Sequence, residues 1–134
     1  MALVSSEGLP IALQLHEASP HEVRLVYDLV QQCWTRDLPE RVIGDKAFDS
    51  DGLDEQMWNE CDVEVIAPHR DNRTRPKTQD GRCLRRAKRR WKVERFFAWA
   101  QNFRRLVVRY ERKASNFYGF LLIAATIMHV KYQY

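Results

Sequence analysis

Two acidic residues stand where a carboxylate can do chemistry. Asp45 follows directly on Arg41-Val42-Ile43-Gly44, a short β-branched run. The carboxyl end of a strand is where α/β folds place ligand-binding groups. Glu94 is the only acid in a tract that holds Arg82, Arg85, Arg86, Lys88, Arg89, Arg90, Lys92 and Arg95. Carboxylates brought together from separate elements can hold divalent metal ions. Each acid has an ordinary reading as well. Asp45 suits a turn or a helix cap, although Asp49 and Ser50 suit that cap equally. Glu94 suits an ion pair with Arg90 one helical turn earlier, which contributes only about 0.3–0.5 kcal/mol.

Other chemistries find no support. His16, His21, His69 and His129 are scattered, and with Cys33, Cys61 and Cys83 they make no metal-ligand spacing. The three cysteines form no C-x-x-C pair, hence neither a disulfide framework nor a zinc site, and the chain reads as intracellular. There is no Ser–His–Asp or Cys–His arrangement and no glycine-rich phosphate loop.

The elements that must position the two acids follow from periodicity. Ala2–Ser5 and Ile11–Leu15 are apolar runs split by Gly8-Leu9-Pro10, which predicts a hairpin. Ser19 as N-cap and Pro20 as first residue open a helix through Val23, Val26, Tyr27 and Val30. A strand before Asp45, a helix capped by Asp49 or Ser50 running to about Cys61, and a strand over 63–67 come next. Alternating strands and helices predict an α/β unit with parallel strands. Residues 69–81 are polar and predict a loop, with Arg70, Arg73, Arg75 and Lys77 as basic residues available to DNA. A single long helix is expected from Arg82 to Phe103, free of Gly and Pro. Its core face is Val93, Phe96, Ala100 and Phe103. A second stripe holds Ala87, Arg90, Glu94, Phe97 and Gln101. A last helix runs from about Ala114 to Lys131. Its apolar run, Phe117–Val130, is short of the ~20 residues a membrane span needs and predicts a buried core helix.

Composition divides the chain in two. Its 134 residues carry a formal net charge of +4. Residues 1–68 hold 4 Lys+Arg against 14 Asp+Glu, a net of −10, and residues 69–134 hold 18 against 4, a net of +14. A half this basic is built to meet a polyanion, most simply nucleic acid.

Against this background, Gly44-Asp45-Lys46-Ala47-Phe48-Asp49-Ser50 resembles the second acidic motif of the DDE transposases of bacterial insertion sequences. Arg89-Arg90-Trp91-Lys92-Val93-Glu94-Arg95-Phe96-Phe97-Ala98-Trp99 resembles their third, and Asn102–Leu106 and Arg109–Arg112 resemble the segment on its C-terminal side in that family. The resemblance implies a ribonuclease-H-like α/β fold with C-terminal helices. Three carboxylates there hold two Mg²⁺ ions for in-line phosphoryl transfer on DNA. It makes Asp45 and Glu94 catalytic and metal-binding. It makes Arg90 a phosphate contact. The cation density of the tract that includes Arg86, Arg89, Lys92 and Arg95 favours phosphate contact over a merely solvated helix face, and Gln101, Arg104 and Arg105 complete the expected DNA-binding set. Two positions depart from the motif: Ala87 stands where the family often has tyrosine, and Gln101 where it often has lysine.

The family's first acid lies on a central strand upstream of the hairpin, and no Asp here precedes Asp28. The resemblance therefore implies an incomplete catalytic domain over 1–134, with an acidic part (1–68), a basic loop (69–80) and a basic helical part (81–134). The chain is expected to be inactive alone and marginally stable, because the missing strand's neighbours would present unpaired edges. Expected partners are DNA at the inverted-repeat ends of a mobile element, and either another copy of the chain or an upstream transposase fragment. No membrane is expected; the place of action would be the bacterial cytoplasm, at the nucleoid. The alternatives are a non-enzymatic DNA-binding remnant and a subunit that completes the acid triad in trans.

Overall fold

A computed structural model describes residues 1–16 and 22–133, without the side chains of Glu22, Arg89 and Gln133. Two strands open the chain, β1 (Ala2–Val4) and β2 (Pro10–Leu13), paired antiparallel with Leu3 opposite Ala12. Gly8 closes this hairpin at φ +88°, a conformation that favours glycine. Helix α1 (Glu22–Gln31) follows; the expected cap at Ser19 and Pro20 lies outside the described residues.

Strand β3 (Arg41–Ile43), a 3₁₀ turn (Lys46–Phe48), α2 (Asp51–Cys61) and β4 (Glu64–Ile66) form the next unit. β3 and β4 are parallel, with Val42 opposite Val65. Of the two caps foreseen for α2, Ser50 is the one used: its hydroxyl accepts from the Leu53 amide at 3.4 Å. α2 ends at Asp62, which takes the left-handed conformation and donates its amide back to Met57 and Trp58.

The expected long helix is broken. It consists of α3 (Gly81–Ala87), a 3₁₀ turn (Lys88–Arg90) and α4 (Trp91–Ala100). The break falls in the densest run of cations. There, like charges three and four apart, such as Arg86 with Arg90 and Lys88 with Lys92, each cost a few tenths of a kcal/mol in a continuous α-helix. A short α5 (Arg104–Val107) and a long α6 (Ala114–Gln133) complete the chain.

The elements form three layers. On one face of the strands, Leu3 packs with Val42 and Val65 against Val26 and Val30 of α1 and Leu53 and Met57 of α2. On the other face, Ala2 and Val4 pack with Leu13 against Phe96 of α4 and Leu121 and Ala125 of α6. Each fully buried aliphatic or aromatic side chain in these clusters contributes roughly 1.5–3 kcal/mol. α6 is buried along one stripe only; Ile123 and Val130 stay exposed. No helix among the described residues is long and apolar enough to cross a membrane.

The strands make two sheets of two, β1–β2 and β3–β4, rather than one continuous sheet. The parallel order foreseen from alternating strands and helices holds for β3 and β4 alone. Between the two sheets lies a cleft of about 960 Å³, lined by β1, by β3 and by Val93 and Phe97 of α4.

Candidate active site

Asp45 is held at the end of β3 by its neighbours. Gly44 before it is buried, and a Cβ there would lie 2.6 Å from the Phe48 ring, so the turn after the strand closes only with glycine at this position. The Asp45 carboxylate accepts the Ala47 amide at 2.8 Å and so caps the 3₁₀ turn. The capping reading of Asp45 is thus correct for one oxygen. The other oxygen lies 3.7 Å from the Arg90 guanidinium, and the side chain is 44% exposed.

Glu94 sits in the first turn of α4, where the helix dipole favours an acid. Its carboxylate is 65% exposed and lies 3.4 Å from Arg90. The foreseen i, i+4 pair therefore exists, but Arg90 also reaches the other acid. One guanidinium bridges two carboxylates from opposite halves of the chain, at the mouth of the cleft between the sheets. The faces match the periodicity in part: Phe96 and Ala100 are buried and Arg90, Glu94, Phe97 and Gln101 exposed, whereas Val93 and Phe103 of the expected core face and Ala87 of the other stripe are partly buried.

The remaining basic candidates fall into groups. Lys92 donates to the Ser6 carbonyl, and Arg95 donates to the Glu7 carbonyl at 2.7 Å, so both grip the tip of the hairpin. Arg95 also lies over the Trp91 ring, 5.0 Å from its centre. Arg105 pairs with the nearly buried Glu111 at 3.0 Å. Arg86 and Arg104 are exposed and have no ion-pair partner among the described residues; Gln101 is exposed beside them in sequence. The Arg89 side chain lies outside the described part.

A second acidic cluster was not legible as such. Asp49 is 4% exposed and accepts from Arg73 (2.6 Å), His69 (3.0 Å) and the Arg70 amide (2.7 Å). Burial pushes its carboxyl up, but these partners outweigh burial and hold it below the ordinary value. Asp51 joins Arg73 and Arg75, whose hydrogen bonds lower its pKa. Asp54 behaves oppositely: burial, then the charges of Asp51 and Asp49, push it up to about 6, and one of its oxygens is buried without a partner. This network fastens the basic loop to the start of α2. Arg70 also donates to the carbonyls of Lys46 (3.0 Å) and Ala47 (2.6 Å), which fixes the turn that carries Asp45. The only sequence signal was the clustering of acids at 49–54 and cations at 70–75.

Over residues 1–128 the chain matches the family model described as the transposase DDE domain. It belongs to that family. No curated protein and no solved structure matches it. As a DDE transposase domain the chain is related to DNA transposition and recombination, with DNA as the family's partner. The family implies a ribonuclease-H-like fold, and the mixed α/β layers agree with it at that level.

Transposases of this family generally use a divalent metal, typically Mg²⁺. The residues present do not by themselves make such a site. Among the described residues no three His, Cys, Asp or Glu side chains converge on one point, and the Arg90 guanidinium bridges the two carboxylates that do meet.

Proposed function

We propose that this chain is the C-terminal part of a DDE transposase catalytic domain, with residues 1–68, 69–80 and 81–134 forming one unit. It supplies two of three catalytic acids, Asp45 and Glu94, and an upstream transposase fragment supplies the third. The observation that carries this reading is the meeting of Asp45 and Glu94 on Arg90, at 3.7 and 3.4 Å. Two acids that meet on a cation at the end of a strand, half exposed, are accessible to a second cation and to a phosphate.

In a domain completed by the third acid, Asp45 and Glu94 would hold Mg²⁺, which would supply activation of the nucleophile and stabilisation of the leaving oxygen. Arg90, displaced from the acids, is then a phosphate contact, for which a guanidinium fork is well shaped. Arg86 and Arg104 extend that contact along the DNA backbone, with Arg89, Gln101 and Arg105 beside them. Lys92 and Arg95 reach phosphate only by leaving the hairpin tip. The DNA is the inverted-repeat end of a mobile element, and the setting is the bacterial nucleoid. A second copy of the chain within the transposition complex is compatible with this arrangement.

Co-expression with an upstream fragment that carries the first aspartate tests the reading by excision of a marked element. Excision is expected, and Asp45→Asn or Glu94→Gln abolishes it. Salt-sensitive DNA binding with no excision in the complemented cells would instead make the chain a DNA-binding remnant.

A further inference from the structure

Parallel pairing fixes where the basic loop begins. β3 and β4 run side by side, with Ile43 opposite Ile66 and the Gly44 amide donating to the Ile66 carbonyl at 2.9 Å. The chain therefore leaves β4 beside Asp45, the residue at the exit of β3. The loop also returns to that place. The Gln79 side chain accepts from the Ala67 amide (3.2 Å) and donates to the Val65 carbonyl (3.0 Å), which pins the far end of the loop to β4. In between, Arg73 joins Asp49 and Asp51 at the start of α2.

The direction of the Asp45 carboxylate depends on one peptide. The turn after it, Lys46–Phe48, has three residues, too few for internal hydrogen bonds to sustain it. Side chains close both of its ends. At the first end Asp45 accepts the Ala47 amide at 2.8 Å. At the other, Arg70 donates from Nε to the Lys46 carbonyl (3.0 Å) and from Nη2 to the Ala47 carbonyl (2.6 Å). A cation suits the carbonyl end of a helical turn. The Lys46 carbonyl and the Ala47 amide belong to a single peptide unit, which is planar and rigid. Its oxygen is held by Arg70 and its N–H holds Asp45. Guanidinium, peptide and carboxylate thus form one hydrogen-bonded chain, in which each bond polarises the next. The backbone of Arg70 is itself fixed, because its amide donates to Asp49 at 2.7 Å. Next to it, Asp71 pairs with Lys46 at 2.8 Å; that pair is exposed and aligns the two segments more than it stabilises them.

We propose that Arg70 is a positioning residue for Asp45. It acts through the Lys46–Ala47 peptide, whose N–H takes one carboxylate oxygen and so aims the other at the mouth where Arg90 and Glu94 meet. The planar fork matters: a lysine ammonium is a point charge and does not seat two carbonyls at fixed spacing. Two donors that the basic loop could offer to DNA are thereby engaged inside the fold. Only the catalytic use of the positioned carboxylate rests on the transposase reading. The brace itself rests on the three hydrogen bonds.

The test reads the full chain by amide hydrogen exchange and by the proton shift of the Ala47 amide, in Arg70→Ala, Arg70→Lys and Arg75→Ala. Arg75 lies in the same loop, pairs with Asp51 at 2.9 Å and has no hydrogen bond to the turn among the described residues. Arg70→Ala should speed exchange at Ala47 about tenfold and move its proton upfield, with the buried Met57 of α2 unchanged. Arg70→Lys should fall between parent and Arg70→Ala, and Arg75→Ala should match the parent. Parental exchange at Ala47 in Arg70→Ala overturns the proposal. So does equal acceleration in Arg75→Ala, because the loop as a whole would then hold the turn. If Arg70→Ala also loosens Met57, Arg70→Lys decides: acceleration of about threefold or more supports the brace, and the parental rate overturns it. Excision in cells that also carry the upstream fragment separates the brace from the transposase reading. Where the parent excises, Arg70→Ala should lower excision about tenfold or more, and full excision with a loosened turn overturns the positioning role. Where the parent does not excise but Arg70→Ala loosens the turn, the brace stands and the transposase reading fails.

Discussion

Asp45 and Asp49 lie four residues apart in sequence and occupy opposite surroundings. Asp49 is 4% exposed and satisfied by His69, by Arg73 and by a backbone amide, all within 3.0 Å. Asp45 is 44% exposed, and its only ionic neighbour among the described residues is an arginine at 3.7 Å that it shares with Glu94. One acid is enclosed by close partners inside the fold. The other has one oxygen on the Ala47 amide and one that meets only the long contact to Arg90 among the described residues. Carboxylates that build a fold are surrounded by short contacts, whereas carboxylates that act on something else are left open at a mouth, with charge nearby that can be exchanged.

Substitutions should separate the two neighbourhoods. Asp49→Ala has the largest expected effect. It leaves Arg73 and His69 without a nearly buried partner, costs about 3 kcal/mol and lowers Tm by roughly 10 °C in thermal unfolding at neutral pH. The sign with pH is set by the lowered pKa. The Asp49 contribution is present above the ordinary carboxylate range and disappears as acid protonates the folded-state carboxylate, so variant and parent converge at low pH. A neutral-pH Tm unchanged by Asp49→Ala would remove the contrast.

Asp54→Asn should act in the other direction and more weakly. The parent carboxyl titrates at about 6, above its ordinary 3.8, so its relative contribution to stability is full below the ordinary value and lost as pH rises through 6. Asn escapes that loss. The variant should be more stable by about 1 kcal/mol at pH 7.5, after discount for partial exposure, with the gap closing near pH 4. A gap that is constant from pH 4 to 8 would contradict the assignment.

The smallest effects on stability belong to Asp45→Asn and Glu94→Gln. Asn keeps an acceptor for the Ala47 amide, and both ion pairs to Arg90 are long and exposed, so each change should stay within about 0.5 kcal/mol. A fall comparable to that of Asp49→Ala would make these acids structural.

Much of this arrangement was legible in the sequence, for physical reasons. Gly8 and Pro10 marked the hairpin, Asp49 or Ser50 the start of α2, and the spacing of Phe96 and Ala100 the core face of α4, whereas Val93 and Phe103, expected on that face, are only partly buried. Each signal is local. The break at Lys88–Arg90 was missed because helix propensity counts good formers and ignores repulsion among neighbouring cations. The fastening of the 69–77 loop was missed because Arg73 finds Asp49 through the path of the chain, 24 residues back. Periodicity marked which segments are strands but not which strands pair, so the gap between the two sheets could not be read from pattern. The position after a strand singled out Asp45, and its isolation among cations singled out Glu94. Their meeting on Arg90 came from folding; the motif resemblance had only implied it.

The central claim is that Asp45 and Glu94 form an open pair that becomes catalytic once a third acid is supplied. Nicking of inverted-repeat DNA in Mg²⁺ tests it most directly, with the purified chain alone, with the upstream Asp-bearing fragment added, and with the same fragment added to Glu94→Gln. The account predicts nicking in the second case only. Metal-dependent nicking by the chain alone, or nicking that survives Glu94→Gln, would contradict it.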